Sequence, residues 1–153
     1  MEKQANSRSC FVCGVENPVG LHLNFYMTAP GEVSASFTAP KEYQSYPGIL
    51  HGGIIAAILD ETAGRVFLQG NPPRFMFTAK LEIRYRKNVP IGQPLKIIGR
   101  AGKNKARMAE SWAGIYGSDG TLLAEANALY VDIPNSPDIS VLDSFGWKVY
   151  PDE

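Results

Sequence analysis

One apolar stretch constrains the fold of this chain more than any other feature. Residues 53–68 read Gly-Ile-Ile-Ala-Ala-Ile-Leu-Asp-Glu-Thr-Ala-Gly-Arg-Val-Phe-Leu, long enough for about four helical turns. The first half of this stretch is apolar on every side, so a helix here must be enclosed by other elements. We expect the turn residues 70–73, Gly-Asn-Pro-Pro, to end the helix.

Segments with the alternating pattern of β-strands stand on both sides of this helix. Two of them precede it, at residues 21–27 and 33–39, and four follow it, at residues 76–86, 94–101, 106–116 and 121–132. The consecutive hairpins favour an antiparallel sheet, and one face of that sheet must cover the enclosed helix. We therefore predict an α+β protein with the hotdog fold, an antiparallel sheet of five to six strands wrapped round one long central helix.

Composition and charge limit the class of protein. A chain of 153 residues with 44% hydrophobic and 20% charged residues is typical of one globular domain. We expect a flexible polar tail at 1–9, the domain at 10–133 and a C-terminal extension packing on it at 134–153. Fifteen basic residues balance fifteen acidic ones, so we expect no nucleic acid and no membrane as partner. The polar N-terminus lacks an apolar signal core, which favours a cytoplasmic protein.

The sequence His51-Gly52-Gly53 stands at the start of the helix. Glycines allow a ligand to approach the backbone closely. The first turn of a helix carries unpaired N–H groups and a partial positive charge, so it can bind a carbonyl oxygen on which negative charge develops. A simple glycine-rich turn into a helix would explain the same residues.

Asp60 lies at the end of the most apolar part of the helix. A buried carboxylate is costly without partners and is therefore often functional. Glu61 points about 100° away round the helix, and Arg65 could pair with either acid. The alternative is that the helix reaches the surface here and that Asp60 and Glu61 form a polar face.

The spacing of His51 and Asp60 has a consequence for assembly. Nine residues along a helix correspond to roughly 13–14 Å of rise and about half a turn of net rotation. The two side chains therefore cannot meet within one subunit. If both serve one reaction centre, the spacing predicts a two-fold dimer with two equivalent composite sites.

The segment 46–61, Tyr-Pro-Gly-Ile-Leu-His-Gly-Gly-Ile-Ile-Ala-Ala-Ile-Leu-Asp-Glu, resembles the hotdog thioesterases of the phenylacetate-degradation type, the PaaI-like acyl-CoA thioesterases. The opening Cys-Phe-Val-Cys-Gly at 10–14 and Asn-Pro-Val-Gly-Leu at 17–21 are similar to a subgroup of that superfamily. The resemblance covers residues 10–132 in element order, and its specific motifs are confined to 10–21 and 44–61. It implies hydrolysis of an acyl-CoA to a free carboxylate and CoA, without a cofactor, by a homodimer or a dimer of dimers.

The resemblance also implies roles for individual residues. Asp60 matches the catalytic acid, a nucleophile or a general base on water, and the Gly52 N–H matches the group that polarises the thioester carbonyl. His51 matches the histidine that holds this region or the thioester in place. Thr78 matches the hydroxyl residue that orients water, and Gln44 is the nearest match to the family's loop amide. Gln44 lies seven residues before His51 rather than six, where this chain has Ser45.

Four further residues complete the candidate site. Gly53 and Glu61 adjoin the motif residues and are expected to contact the substrate. Arg84 and Lys87 are candidates for binding the CoA phosphates, which suit basic side chains. A solvated strand edge protected by basic residues is the alternative for these two.

Two other functions and one other site compete with this interpretation. A hotdog dehydratase or hydratase would need a histidine in the preceding loop, which reads Ser-Tyr-Pro-Gly at 45–48. A non-catalytic acyl-CoA-binding module would not need Asp60. Cys10 and Cys13 supply only two of the four ligands usual for zinc, so we expect no metal and two small buried hydrophobic residues.

Overall fold

The computed structural model describes residues 1–70, 73–134 and 139–152. Asn71 and Pro72 of the expected helix stop, and residues 135–138 and 153 of the expected extension, lie outside the described residues. Within these residues, seven β-strands and two α-helices follow one another, and a short 3-10 helix (Lys41–Tyr43) lies in the loop before the longer helix. The strands and α-helices are β1 (Glu2–Lys3), β2 (Tyr26–Ala29), β3 (Glu32–Thr38), α1 (Gly52–Arg65), β4 (Met76–Tyr85), β5 (Pro94–Asn104), β6 (Met108–Tyr116), β7 (Leu122–Asp132) and α2 (Ile139–Ser144).

The strands form one antiparallel sheet in the order β1-β2-β3-β5-β6-β7-β4. The central helix α1 lies on one face of it, against β3 to β7. The predicted hotdog architecture is therefore confirmed. The sheet has seven strands rather than five or six because the N-terminal residues Glu2–Lys3 add a short strand next to β2.

Close contact between α1 and the sheet depends on small residues beneath the helix. Ile58, Leu59 and Ala63 of α1 are fully buried. A Cβ atom placed on Gly99 of β5 would lie only 2.7 Å from the backbone oxygen of Thr62, so only glycine fits where the helix crosses this strand. The result is a helix held at a fixed depth and rotation, which determines where its polar residues emerge.

The first predicted strand is shorter than expected. Residues 21–25 alternate in burial, but the strand begins only at Tyr26. The Leu21 and Leu23 N–H groups donate instead to the carbonyls of Phe11 and Val12. The alternation therefore reflects side chains entering the core from an irregular segment that pairs with residues 11–12.

The expected flexible tail at residues 1–9 is packed against the domain. Gln4, Asn6 and Ser7 are buried, and Asn6 exchanges two backbone hydrogen bonds with Lys148. The expectation was wrong because the polar side chains bond buried carbonyl groups rather than water: the Gln4 amide, for example, donates to the backbone oxygen of Arg65. Polar composition alone does not distinguish a segment whose side chains bond buried backbone groups from one whose side chains bond water.

The described part of the C-terminal extension packs on the same side of the molecule. The Trp147 ring meets the Phe75 ring edge-on at 5.3 Å between centroids, and the Arg8 N–H donates to the carbonyl of Phe145. The two chain ends thus cover the C-terminal half of α1. Within the described residues, neither helix has the length and apolar character needed to cross a bilayer.

Candidate active site

The start of α1 presents one unused backbone donor. His51 caps the helix: its Nδ1 accepts from the Gly53 N–H at 2.8 Å, and its carbonyl accepts from Ile54 and Ile55. Among the described residues, none accepts a hydrogen bond from the Gly52 N–H. The Tyr85 hydroxyl donates to the Gly52 carbonyl at 2.8 Å and ties the helix start to β4. The structure therefore separates the two glycines, because the Gly53 N–H is occupied and the Gly52 N–H can bind a ligand.

Asp60 lies in the third turn of α1, half-buried, with its carboxylate held by two hydroxyl groups. The Thr78 hydroxyl donates to Oδ1 at 2.7 Å, and the Tyr130 hydroxyl lies 3.1 Å from the same oxygen. Tyr130 also donates to the Asp60 backbone oxygen at 2.6 Å. Within the described part of the chain nothing donates to Oδ2, so one carboxylate oxygen is fixed while the other can react.

A β-bulge explains why Thr78 faces the helix. Thr78 pairs with Tyr130 and Lys80 with Leu129, so Ala79 is an extra residue in β4. Side chains of a strand alternate between its faces, and Ile83 and Tyr85 point towards α1. Without the extra residue, Thr78 would lie on the opposite face and could not reach Asp60.

Sequence reasoning missed Tyr130. Burial and the neighbouring Asp60 carboxylate raise the pKa of its hydroxyl above the ordinary value, so it stays a neutral donor. Alternation with the buried Ala126 and Ala128 on β7 could have indicated that Tyr130 faces inwards. Its contact with Asp60, seventy residues away, follows only from the packing of β7 under the helix.

An open cavity of about 450 Å³ adjoins the Asp60 carboxylate. This volume is within the range of small-molecule sites. The wall combines Asp60, Thr78 and Tyr130 with apolar residues from the turn after α1, from β4 and the segment before it, and from the C-terminal extension. The apolar members are Leu68, Phe75, Met76, Phe77, Phe145 and Trp147.

Glu61 turns away from Asp60 to the part of the cavity wall that the two cysteines line. Its Oε2 accepts from Arg65 Nε at 3.2 Å, and the buried guanidinium forms the ion pair that helical spacing allowed. The Glu61 side chain is 24% exposed. Burial removes part of the hydration of the carboxylate and raises the pKa of Glu61 to about 7, although the positive charge of Arg65 acts in the opposite direction. Glu61 thus lines the cavity, but its carboxylate points to the N-terminal segment and to Arg65.

The two cysteines also line this cavity, next to Glu61. Cys13 is buried, as expected, whereas Cys10 is only partly buried and its Sγ lies 3.9 Å from Glu61 Oε1. The Cys13 thiol donates to Cys10, which lowers the pKa of Cys10 to about 6 and raises that of Cys13. The pair is therefore part of the cavity wall rather than of the apolar core alone.

Gln44 and Ser45 lie in the exposed loop that leads into His51. Gln44 Oε1 accepts from the Gly48 N–H at 3.1 Å, and the Ser45 N–H donates to the Ile49 carbonyl at 2.8 Å. Both residues thus stabilise the loop conformation. The structure places them at the helix start, with Gly52, and not among the residues that line the Asp60 cavity.

Arg84 and Lys87 lie at the far end of β4 from Thr78. Arg84 is exposed on the face of the sheet opposite α1, because its neighbour Tyr85 faces the helix. Its register partner is Glu125. Lys87 is exposed just beyond the strand. Neither basic residue lines the cavity beside Asp60 within one chain.

Known proteins share this arrangement of one helix enclosed by an antiparallel sheet. The family model of the thioesterase superfamily matches residues 47–124, more than half of the chain, and the chain therefore belongs to the thioesterase superfamily. The acyl-coenzyme A thioesterase THEM4 of Rattus norvegicus is 30% identical over 140 residues, which are 89% of this chain and 59% of that protein. The chain spans about half to three fifths of the length of the THEM4 relatives it matches.

Solved structures of the superfamily have the same fold. One thioesterase superfamily protein superposes with a TM-score of 0.75 at 28% identity, over 81% of this chain and 63% of that one. A protein of Streptococcus mutans bound to acetyl-CoA superposes with a TM-score of 0.68 at 20% identity, over 78% of this chain and 94% of that one. The PaaI protein of Escherichia coli, from the phenylacetic acid degradation operon, superposes with a TM-score of 0.68 at 11% identity. The match covers 74% of this chain and 81% of that one. Membership of the thioesterase superfamily, as the resemblance implied, is confirmed, and the PaaI protein shares the fold.

Proposed function

We propose that this protein hydrolyses acyl-CoA thioesters to a free carboxylate and CoA. The observation that carries the proposal is the Asp60 carboxylate beside a largely apolar cavity. Its Oδ1 is held by Thr78 and Tyr130, and no described residue donates to its Oδ2. A carboxylate fixed through one oxygen presents the other in a defined direction, as attack on a bound acyl group requires. Family membership and the acyl-CoA thioesterase relatives support the same reaction.

Asp60 can act in either of two ways. Its carboxylate can attack the thioester carbonyl carbon and expel CoA as a thiolate, and water then hydrolyses the mixed anhydride. It can alternatively take a proton from water, which attacks the same carbon. In both routes the Thr78 hydroxyl keeps the carboxylate in place. Negative charge develops on the carbonyl oxygen, which the free Gly52 N–H stabilises with the positive end of the helix.

The reaction centre in this proposal is shared between two subunits. Gly52 begins α1 and Asp60 lies in its third turn, so the carbonyl-binding donor and the acid of one chain serve different centres. Strand β4, at one edge of the sheet, supports a two-fold dimer. Among the described strands its one partner is β7, and its Phe77 and Tyr85 are 57% and 53% exposed. Apolar side chains on an exposed edge strand mark a surface that a second copy can cover.

The CoA portion of the substrate would lie outside the apolar cavity. The S. mutans relative bound to acetyl-CoA supports a CoA ester as the substrate class. Arg84 and Lys87 are exposed at the end of β4 that Tyr85 ties to Gly52. We therefore assign the phosphates to the subunit that contributes Gly52, and the acyl group to the cavity of the subunit that contributes Asp60.

A panel of acyl-CoAs tests the proposal. The loss of thioester absorbance and the release of CoA, followed by chromatography, would be compared for the wild-type protein and for Asp60→Asn. We expect the variant to lose about 100-fold or more of the rate, in the range of general acid–base contributions. Glu82→Gln, which changes an exposed carboxylate elsewhere on β4, is the matched control and should keep the wild-type rate.

Two results would contradict the proposal. The first is a wild-type protein that binds several acyl-CoAs but cleaves none, which would favour a binding module. The second is an Asp60→Asn variant with the wild-type rate. Hydration of an enoyl-CoA without CoA release would instead favour the hydratase alternative.

A further inference from the structure

Three potential metal ligands meet in the wall of the cavity. The Sγ atoms of Cys10 and Cys13 and a carboxylate oxygen of Glu61 all lie within 4.8 Å of one another. The two cysteines come from the N-terminal segment and the glutamate from α1, fifty-one residues beyond Cys10. We propose that Cys10, Cys13 and Glu61 form a three-ligand site for a zinc ion, with the fourth position open to the cavity.

The carboxylate of Glu61 is oriented as a ligand would be. Its Oε2 faces Arg65, at 3.2 Å from Nε and 3.1 Å from Nη2, while Oε1 faces Cys10 Sγ at 3.9 Å. Arg65 is 1% exposed, and its guanidinium carbon lies 4.6 Å from the centre of the Phe25 ring and 5.0 Å from that of Trp147. A carboxylate that is fixed through one oxygen and free at the other matches the way neighbouring groups orient metal ligands.

The charges of the site balance when a divalent cation is bound. Two thiolates and the Glu61 carboxylate carry three negative charges, and a zinc ion with the Arg65 guanidinium carries three positive ones. The guanidinium would repel a cation held by neutral groups alone. Beside two thiolates and a carboxylate, the guanidinium supplies the one positive charge that the zinc ion lacks, so the buried site is neutral overall.

The cysteine turn has the form of a metal-binding loop. The two residues between Cys10 and Cys13 give the shortest common spacing of zinc ligands. The Val12 N–H points at Cys10 Sγ at 3.4 Å, and the Gly14 N–H closes the turn onto the Cys10 carbonyl at 2.8 Å. A Cβ atom on Gly14 would lie 2.3 Å from that carbonyl oxygen, so the turn requires glycine. Both thiols are thereby presented on one side, towards Glu61.

The donor set selects the kind of ion. Thiolates favour zinc over magnesium and calcium, which prefer oxygen ligands. Three protein ligands leave one tetrahedral position, and the cavity wall that Cys10 and Glu61 share with Asp60 provides room for a water molecule there. The ion would join the N-terminal segment to α1 one residue from the proposed catalytic acid. The proposal is independent of the hydrolase function, because its readout is metal binding.

Metal titration of the 153-residue chain, prepared without a tag, tests this site. Chelator-treated protein would be titrated with Co²⁺, whose tetrahedral thiolate complexes give a charge-transfer band and intense visible bands, and then with Zn²⁺ in competition. We expect one ion per chain and a rise in melting temperature with Zn²⁺. Cys10→Ser, Cys13→Ser and Glu61→Gln should each weaken binding by more than about 100-fold, beyond the range typical of outer-shell changes.

Asp60→Asn is the matched control, since it changes a neighbouring carboxylate of the same cavity that is not in the cluster. This variant should still bind one ion with the wild-type spectrum. Glu61→Gln is nearly isosteric, so it tests the site even if a cysteine variant fails to fold. The proposal is overturned if Co²⁺ gives no thiolate band, if Glu61→Gln binds as tightly as the wild type, or if the purified thiols are joined in a disulfide.

Discussion

The Thr78 hydroxyl on β4 donates a 2.7 Å hydrogen bond to Oδ1 of Asp60 on α1. The contact joins the edge strand of the sheet to the central helix, and it exists because the bulge at Ala79 turns Thr78 towards the helix. The bond leaves Oδ2 of Asp60 free within the described residues. In the proposed reaction, Thr78 therefore sets the direction of Oδ2 without itself reacting.

Replacing Thr78 by valine should reduce turnover with little change in substrate binding. Valine has nearly the same shape but lacks the donor, and a hydrogen bond to a charged group contributes about 1.5–3 kcal/mol. We expect kcat for acyl-CoA hydrolysis to fall about 10- to 100-fold at a nearly constant KM. Thr78→Ser keeps the hydroxyl and should retain most of the activity; equal kcat values for the valine variant and the wild type would refute the assigned role.

Two inactive variants should restore activity when they are mixed. Gly52→Pro removes the free N–H at the first helical position, where proline is well tolerated, and the extended His51 that precedes it suits proline (φ −59°, ψ 134°). In a mixed dimer with Asp60→Asn, one of the two shared sites keeps both groups. Refolding the variants together should give about a quarter of the wild-type activity, because half of the dimers are mixed and each has one intact site.

Gly52→Ala is the control for this mixing experiment. It keeps the N–H, and its Cβ would meet the Tyr85 ring at an ordinary 3.6 Å. We expect it to be active alone. If the mixture of Gly52→Pro and Asp60→Asn is as inactive as its components while both still form dimers, the site lies within one chain and the shared-site proposal is wrong.

Removing the Tyr130 hydroxyl should destabilise the protein. Tyr130→Phe deletes the bonds to the Asp60 carbonyl and carboxylate in a part-buried setting, and we expect the free energy of unfolding to fall by about 1–2 kcal/mol in urea denaturation. Tyr116→Phe is the matched control, since the Tyr116 hydroxyl makes no hydrogen bond to any described residue. A loss of the same size in both variants would argue against a specific role for Tyr130.

The N-terminal segment should contribute to stability. Asn6 is 1% exposed, and its Nδ2 contacts the carbonyls of Cys13 and Leu23 and the Asn24 side chain. Asn6→Ala leaves these groups without a donor, so we expect a loss of about 2–3 kcal/mol in unfolding free energy. Asn88→Ala, at an exposed position, is the control and should change stability by less than about 0.5 kcal/mol. An unchanged melting curve for Asn6→Ala would show that the segment is not docked in solution.

Local patterns in the sequence were sufficient for most of the fold. The helix predicted at 53–68 is observed at Gly52–Arg65, and the four strands after it lie within three residues of their predicted ends. These elements have strong periodicity, which depends only on neighbouring residues. The segment at 21–25 and the N-terminal tail were predicted wrongly, since their structure depends on hydrogen bonds to distant backbone groups.

The sequence by itself determined the enclosed helix, the glycines at its start and the acid in its third turn, because each follows from spacing along one element. Only the tertiary structure decided which side chains meet. The bulge in β4 brings Thr78 to Asp60, the packing of β7 brings Tyr130, and the docked N-terminal segment brings two cysteines to Glu61. Such contacts depend on strand register and on the depth of packing between elements, which are global properties of the fold, whereas periodicity reports only on each element alone.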